Sequence, residues 1–207
     1  MQDNIVTVTR KTTESEMRVC LDFTGLKPDY RSKINTPFPF FSHMLEHIAW
    51  RSGVNIEVDI KLDKFFLKHV VYEDLGITFG KAIREYIWRN KKNGAVGYGD
   101  AVGIIDEAKA EVAISFEERA LFAFSSVELP LETEDVYSED LHTFLDGICQ
   151  GAMCTLHMDI TKGKNGHHIW EAAFRALGIA LGRAFYLDEN RKNMSSGVAG
   201  GIEFIIE

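Results

Sequence analysis

The sequence predicts an α+β fold made of two similar halves, each a βα unit, with sheets packed against helices. Segments of apolar alternation are interspersed with segments of helical spacing. The order of these segments occurs once over residues 1–95 and returns over residues 96–207, an internal duplication. Each half also closes on a helix that opens with histidine and carries glutamate four residues later, His69…Glu73 in the first and His167…Glu171 in the second. Neither half alone covers both faces of its sheet and its helices, so two units packed as one globular body are expected.

In order, Ile5–Lys11 and Met17–Phe23 alternate apolar and polar residues and read as strands of a half-buried sheet. Gly25–Pro37, punctuated by Pro28 and Pro37, reads as a loop. Phe40–Arg51 has helical spacing, and the alternating Val and Ile of Val54–Leu62 make a strand. His69–Asn90 is a longer helix with Tyr72, Ile77, Phe79, Ile83 and Ile87 among its apolar positions, stopped by the polar run Lys91–Gly94. The second half reads as strands near Ala101–Ile105, Glu111–Phe116 and Arg119–Phe124, a helix around Ser138–Met153, a strand at Cys154–Ile160 and a helix at His167–Phe185.

A chain of 207 residues can bury a sizeable core. With 45% hydrophobic and 26% charged residues it has the composition of an ordinary globular protein. The net charge of -8 argues against a nucleic-acid partner, which needs a basic face, but leaves room for a local basic pocket for a small anion. Three cysteines, Cys20, Cys149 and Cys154, make no disulfide framework and fit a reducing compartment. The opening MQDNIVTVTRKTT lacks the basic start and apolar run of a signal peptide, and no apolar stretch spans a bilayer. The expectation is a cytoplasmic protein without a membrane partner.

Six of the seven histidines fall in or beside a few motifs: His43 and His47 in FFSHMLEHIA, His69 in HVVYED, His157 in TLHMDI, and His167 with His168 in GKNGHHIWEAAF. Residues four apart share a helix face, so each His-x-x-x-Glu pair can offer an imidazole nitrogen and a carboxylate oxygen to one ion. Such a donor set suits divalent Mn, Fe, Co or Zn better than Mg or Ca. A single pair of this kind is more often an exposed ion pair; two copies at equivalent places favour metal binding. Adjacent rings point about 100° apart around a helix, so His167 and His168 would serve different ions. His47 is read as a surface residue, with compensation for a lost site residue as the alternative. His157 is read as a packed structural histidine, and Tyr72, Trp170, Cys149 and Cys154 as core.

Taken together, RKTTES, TPFPFFSHML, HVVYEDLGITFGKAI, IDEA, TLH and GKNGHHIWEAAFRAL resemble imidazoleglycerol-phosphate dehydratase of histidine biosynthesis, in order from Arg10 to Phe185. The resemblance implies a duplicated βα fold like ribosomal protein S5 domain 2, a homo-oligomer built from trimers and reaching 24 subunits, and two Mn ions at subunit interfaces. It assigns His43, His167 and Glu171 to one ion and His69, Glu73 and His168 to the other. It makes Glu14, Glu171 and His43 catalytic, with Glu14 the acidic group that contacts the substrate, and gives the substrate phosphate to Arg119. The substrate imidazole would lie between the ions as an imidazolate while water is eliminated from the glycerol chain.

The sequence departs from the family at identifiable places. Ser42 stands where the family has Asp, Val70 where it has a ligand histidine, Thr143 beside His142 at another ligand position, and Gly97 where it has arginine. The phosphate loop is reduced to Ser195-Ser196-Gly197 without its lysine, while Arg51 replaces a histidine on the substrate side and brings a permanent anion donor. The expected activity is a metal-dependent carbon–oxygen lyase acting on imidazole glycerol phosphate or a related imidazole phosphate, with one ion site degraded. The alternatives are a non-catalytic paralogue that keeps metal and assembly and, less favoured, a metallohydrolase.

Overall fold

The structure, a computed structural model, describes residues 4–200 together with Ile202 and Ile205. Strands β1 (Ile5–Lys11), β2 (Ser15–Asp22) and β3 (Asn55–Leu62) form an antiparallel sheet in the order β1-β2-β3. Between β2 and β3 lie one 3-10 turn at Tyr30–Lys33 and helix α1 (Pro39–Ser52); helix α2 (Lys68–Asn90) follows β3. Then come β4 (Tyr98–Ile105), β5 (Ala108–Ser115), β6 (Leu121–Ser126), the short hairpin β7 (Glu132–Thr133) and β8 (Val136–Tyr137), α3 (Ser138–Ala152), β9 (Thr155–Lys162) and α4 (Gly166–Ala184). The second sheet has the order β4-β5-β9-β6, with β6 parallel to β9 and the other pairs antiparallel. The α+β reading therefore holds, with sheets covered by helices.

The strands are short, alternating and half-buried because one face of each sheet meets helices and the other does not. On β9, Leu156, Met158 and Ile160 point into the core while His157 between them is exposed. The expectation of a packed His157 fails for this reason: period-2 alternation puts it on the outer face. The hairpin β7–β8 is absent from the sequence reading, since two-residue strands carry no detectable period.

Helices far apart in the chain pair with one another. Helix α1 lies against α4 and α2 against α3, while α4 also covers β4 and β5 and α2 covers β1 and β2. Trp170, Tyr72, Phe41, Phe79, Phe144 and Phe174 are fully buried between these layers. Each of the four phenylalanines contributes about 1.5–3 kcal/mol relative to an exposed side chain. The α2–α3 contact is close because both helices present glycine: a Cβ added at Gly80 would lie 2.2 Å from the Ile148 carbonyl oxygen, and one at Gly151 2.0 Å from that of Ile77. A buried polar tie fixes α2 on the first sheet, where Asp74 accepts from Ser15 and pairs with Arg10 at 2.6 Å. These two contacts hold α2 in register with the β1–β2 hairpin, while within the helix the Thr78 hydroxyl donates to the Asp74 carbonyl at 2.7 Å.

Candidate active site

Helix α1 begins with Pro39 at its first turn and ends at Gly53, whose φ of 75° is the left-handed conformation glycine adopts without strain. Within it His43 and His47 are one turn apart on the face that meets α4. Helix α4 is started by Asn165, whose side-chain oxygen accepts the His167 amide at 2.9 Å. That cap sets His167, Glu171 and Arg175 at successive turns of one face. The Ser42 hydroxyl accepts the Thr36 amide at 2.9 Å, so this residue ties down the entry to α1.

Three imidazoles converge on Glu171. Its Oε1 lies 3.2 Å from His47 Nε2, and its Oε2 lies 3.7 Å from His43 Nε2 and 3.2 Å from His167 Nε2. The two α1 rings face each other with Nε2 atoms 3.2 Å apart. Arg175 donates to Oε1 of Glu171 and, at 2.9 Å, to the Ile104 carbonyl. The expectation that His47 lies on the helix surface is therefore corrected: its side chain is 15% exposed and faces the carboxylate. The four-residue spacing from His43 was the signal for it, as it was for Arg175 after Glu171.

Carboxylates stand behind the ligand-type histidines. Glu46 is 3.3 Å from His43 Nδ1, Glu134 is 3.2 Å from His167 Nδ1, and Glu107 is 2.8 Å from His168 Nδ1. A carboxylate on Nδ1 holds the proton there and leaves the Nε2 lone pair for a metal, the usual support of metal-bound histidine. Glu46 thus supplies, one turn later, a carboxylate that Ser42 does not. Glu134 comes from the β7–β8 turn, where it adopts a φ of 55°, and neighbouring Asp135 accepts the Phe40 amide at 3.0 Å, clamping the start of α1. The unread hairpin is thus part of the site.

Burial, the largest influence on His47, pushes its imidazole down to about 4 against the pull of Glu171, and the nearby His43, Arg175 and Arg51 charges act in the same downward direction. His47 is neutral at pH 7 as a result. Burial pushes Glu171 up, but His47, Arg175 and His43 outweigh it and the net shift is downward. Around His168 the exposed Glu107 is lowered to about 2 by the Asn165 amide and then by His168, which is itself raised, first by its hydrogen bond to Glu107.

The other expected metal residues are not gathered with this cluster. His69 and Glu73 make an exposed pair 3.5 Å apart at the start of α2. His168 turns to Glu107 and to Asp106, 3.6 Å away, at the β4–β5 turn. Among the described residues only His43, His47 and Glu171 form a set of three metal-type donors within 4.8 Å of one another. His69, Glu73 and His168 thus form no such set within one chain. The donor chemistry of the α1–α4 cluster, two or three imidazole nitrogens with a carboxylate, fits a divalent transition ion.

Two pockets gather the expected anion-binding residues. An open cleft of about 480 Å³ is bordered by His43, His47, Arg51 and Arg175, so Arg51 at the end of α1 faces the metal-type cluster's cleft. A second pocket, about 70 Å³, brings Arg119, Ser195 and Ser196 together with Arg84 and Lys91, two cations the sequence reading passed over. Arg84 is held there by Glu118, through Nε at 3.1 Å and a second guanidinium nitrogen. No carboxylate among the described residues pairs with the Arg119 side chain, which is free to take an anion. Gly97 has a φ of 65°, and a Cβ there would lie 1.9 Å from the Ser196 hydroxyl. The loop fills the room that an arginine at position 97 would need. Glu14 stands exposed in the β1–β2 turn with its amide on Thr12 Oγ1 at 3.1 Å, and no hydrogen bond joins its side chain to the cluster among the described residues. His142 is also exposed and packs on Phe122 and Phe124.

Comparison with known proteins meets this geometry. The family profile described as imidazoleglycerol-phosphate dehydratase matches residues 36–181. The imidazoleglycerol-phosphate dehydratase of Burkholderia multivorans is 35% identical over 199 residues, covering 96% of this chain and 99% of that one. That of Ralstonia nicotianae is 36% identical over 184 residues, covering 87% and 90%. Among solved structures, the crystal structure of IGPD from Pyrococcus furiosus in complex with (S)-C348 superposes with a TM-score of 0.77 at 28% identity, covering 94% of this chain and 99% of that one. The imidazoleglycerol-phosphate dehydratase of Staphylococcus aureus superposes with a TM-score of 0.73 at 26% identity, covering 89% and 99%.

Proposed function

Since the chain belongs to the imidazoleglycerol-phosphate dehydratase family and is thereby a carbon–oxygen hydro-lyase of histidine biosynthesis, we propose that it works on imidazole glycerol phosphate with divalent transition metal, Mn by resemblance. The observation that carries the metal is the convergence of His43, His47 and His167 on Glu171, with carboxylates on the Nδ1 atoms of His43 and His167. A bound ion supplies Lewis-acid stabilisation of charge on the imidazole ring. The chain's own groups orient the substrate. Arg119 with Ser195 and Ser196 holds the phosphate, Arg51 and Arg175 keep the cleft beside the cluster cationic, and Glu14 is the carboxylate for proton transfer. Elimination needs one carbon-bound proton removed and one departing hydroxyl protonated, so a single carboxylate can serve both by returning the proton it takes.

The separation of His69 and Glu73 from His168 supports an assembly in which the second ion is shared: His69 and Glu73 of one copy would meet His168 of another. Trimers, and 24 subunits built from them, are the arrangement that the resemblance implies. An ion bridging copies stabilises the oligomer by mass action. Light scattering is expected to show a trimer or a multiple of it with metal present and smaller species after chelation. A cytoplasmic location is supported by three buried free cysteines and by the absence, among the described residues, of a helix long and apolar enough to cross a membrane.

The testing experiment is product formation by the purified chain with Mn supplied, after chelation, and after Mn is restored. Chelation should abolish turnover and Mn should recover it; turnover indifferent to chelator would refute the metal reading. Arg119→Ala should weaken substrate binding about tenfold to a hundredfold, since charge-assisted hydrogen bonds are each worth about 1.5–3 kcal/mol. An unchanged KM in that variant would move the phosphate elsewhere.

A further inference from the structure

We propose that His47 is itself a metal ligand, closing with His43 and Glu171 a three-donor site within a single chain. The proposal deepens the reading above and rests on it in one respect, that His43 and Glu171 hold an ion. The resemblance assigns no ligand role to position 47; the role comes from geometry. The distances are 3.2 Å from His47 Nε2 to His43 Nε2, 3.2 Å from His47 Nε2 to Glu171 Oε1, and 3.7 Å from His43 Nε2 to Glu171 Oε2. Ligands placed tetrahedrally at about 2.1 Å from an ion stand about 3.4 Å from one another. The two imidazole nitrogens already have the spacing of two vertices around one ion, and a Glu171 oxygen lies within 4.8 Å of both, so that modest rotations would complete the third.

Without an ion the cluster is a hydrogen-bonded network; with one, all three donors meet it. Two Nε2 atoms that face each other can share one proton at most, and each also faces the same carboxylate. The fold holds them there rigidly: His43 and His47 sit one turn apart in the middle of α1, and Glu171 is buried on α4, the helix packed against it. Nearby charge is mixed. Arg175 occupies the Oε1 side of Glu171 while Glu46 backs His43, and Arg51 lines the open side. His167 reaches Oε2 at 3.2 Å and can give a fourth donor.

A further imidazole changes which metal is preferred. Nitrogen-rich sites follow the order in which Co, Ni and Zn bind more tightly than Mn. The chain should therefore favour Zn or Co over Mn more strongly than a variant with glutamine at position 47.

The test is titration of the metal-free, full-length protein with Co(II) and Zn(II), comparing the natural chain with His47→Gln and reading visible absorption of Co(II) alongside calorimetry. His47→Gln is expected to weaken Co(II) and Zn(II) at least about tenfold, a lower bound typical of damage to a metal site, and to alter the Co(II) spectrum, with Mn(II) affected less. Should the variant fold poorly, the natural chain answers the question alone: Zn(II) must shift the His47 ring nitrogens in ¹H–¹⁵N spectra. Equal affinity and identical Co(II) spectra in the two proteins, or His47 signals unmoved by Zn(II), would overturn the ligand role while leaving the metal-dependent reading intact. Absence of binding by the natural chain would overturn both.

Discussion

Glu171→Gln is expected to lower kcat/KM at least about a thousandfold and to strip most of the bound metal. Glu171 is the one residue that touches every member of the cluster: His47 and Arg175 at Oε1, His43 and His167 at Oε2. Glutamine keeps the volume but removes the one carboxylate that faces the Nε2 atoms of His43, His47 and His167, with Arg51 and Arg175 beside the cleft. An ion then loses its carboxylate ligand, and the repulsion from two guanidinium groups is offset only by Glu46 and Glu134 behind the rings. Lewis-acid stabilisation of a transition state is worth several kcal/mol. At about 1.4 kcal/mol per tenfold, losing some 4 kcal/mol of it gives the thousandfold. Elemental analysis and steady-state kinetics on the same preparation check both halves of the expectation; full metal content with full activity would remove Glu171 from the chemistry. The fold should survive, because Arg175 keeps its bond to the Ile104 carbonyl and glutamine can still accept from it.

The second large effect is on stability. Gly80→Ala should destabilise the protein by about 1–3 kcal/mol or more, the usual cost of overpacking a tight contact. The new methyl would meet the Ile148 carbonyl oxygen at 2.2 Å and the Ala152 amide nitrogen at 2.8 Å, both backbone atoms that cannot turn aside. Helices α2 and α3 would have to separate, loosening Phe79 and Phe144 between them. For a chain of this size the melting temperature should fall by about 2–4 °C per kcal/mol. Thermal denaturation monitored by circular dichroism measures it; a variant melting with the natural chain would show that the helices are not in this close contact. Gly25→Ala, where no atom lies within 4 Å but φ is 106°, separates backbone strain from collision.

How much of this was legible depended on the range of the interaction. Strand and helix positions came through, closely at β1 (Ile5–Lys11) and α3, read as Ser138–Met153 and found at Ser138–Ala152, and within two or three residues at β4, β5 and β6. Each rests on an apolar period within one segment, as does the pairing of His167 with Glu171 a turn apart. Hairpin β7–β8 did not come through, being too short to carry a period, and with it went Glu134 and Asp135, which brace His167 and α1. His47 was misjudged because one helix viewed alone does not show whether a face is covered.

The sequence by itself determined the periodic elements, the resemblance to a dehydratase family and the local His-x-x-x-Glu spacing. Tertiary structure decided which of those pairs became a cluster. Helix α1 packs chiefly on α4 and touches α2 through apolar rings such as Phe41 on Tyr72, so His43 and His47 arrive at Glu171, whereas His69 and Glu73 stay in the open at the start of α2 and His168 faces the β4–β5 turn. That choice follows from burial. Apolar faces of helices far apart in the chain must cover each other and the sheets, and polar side chains at the seam are carried along. A local pattern reports which face of a helix is apolar; only the packed chain shows what that face lies against.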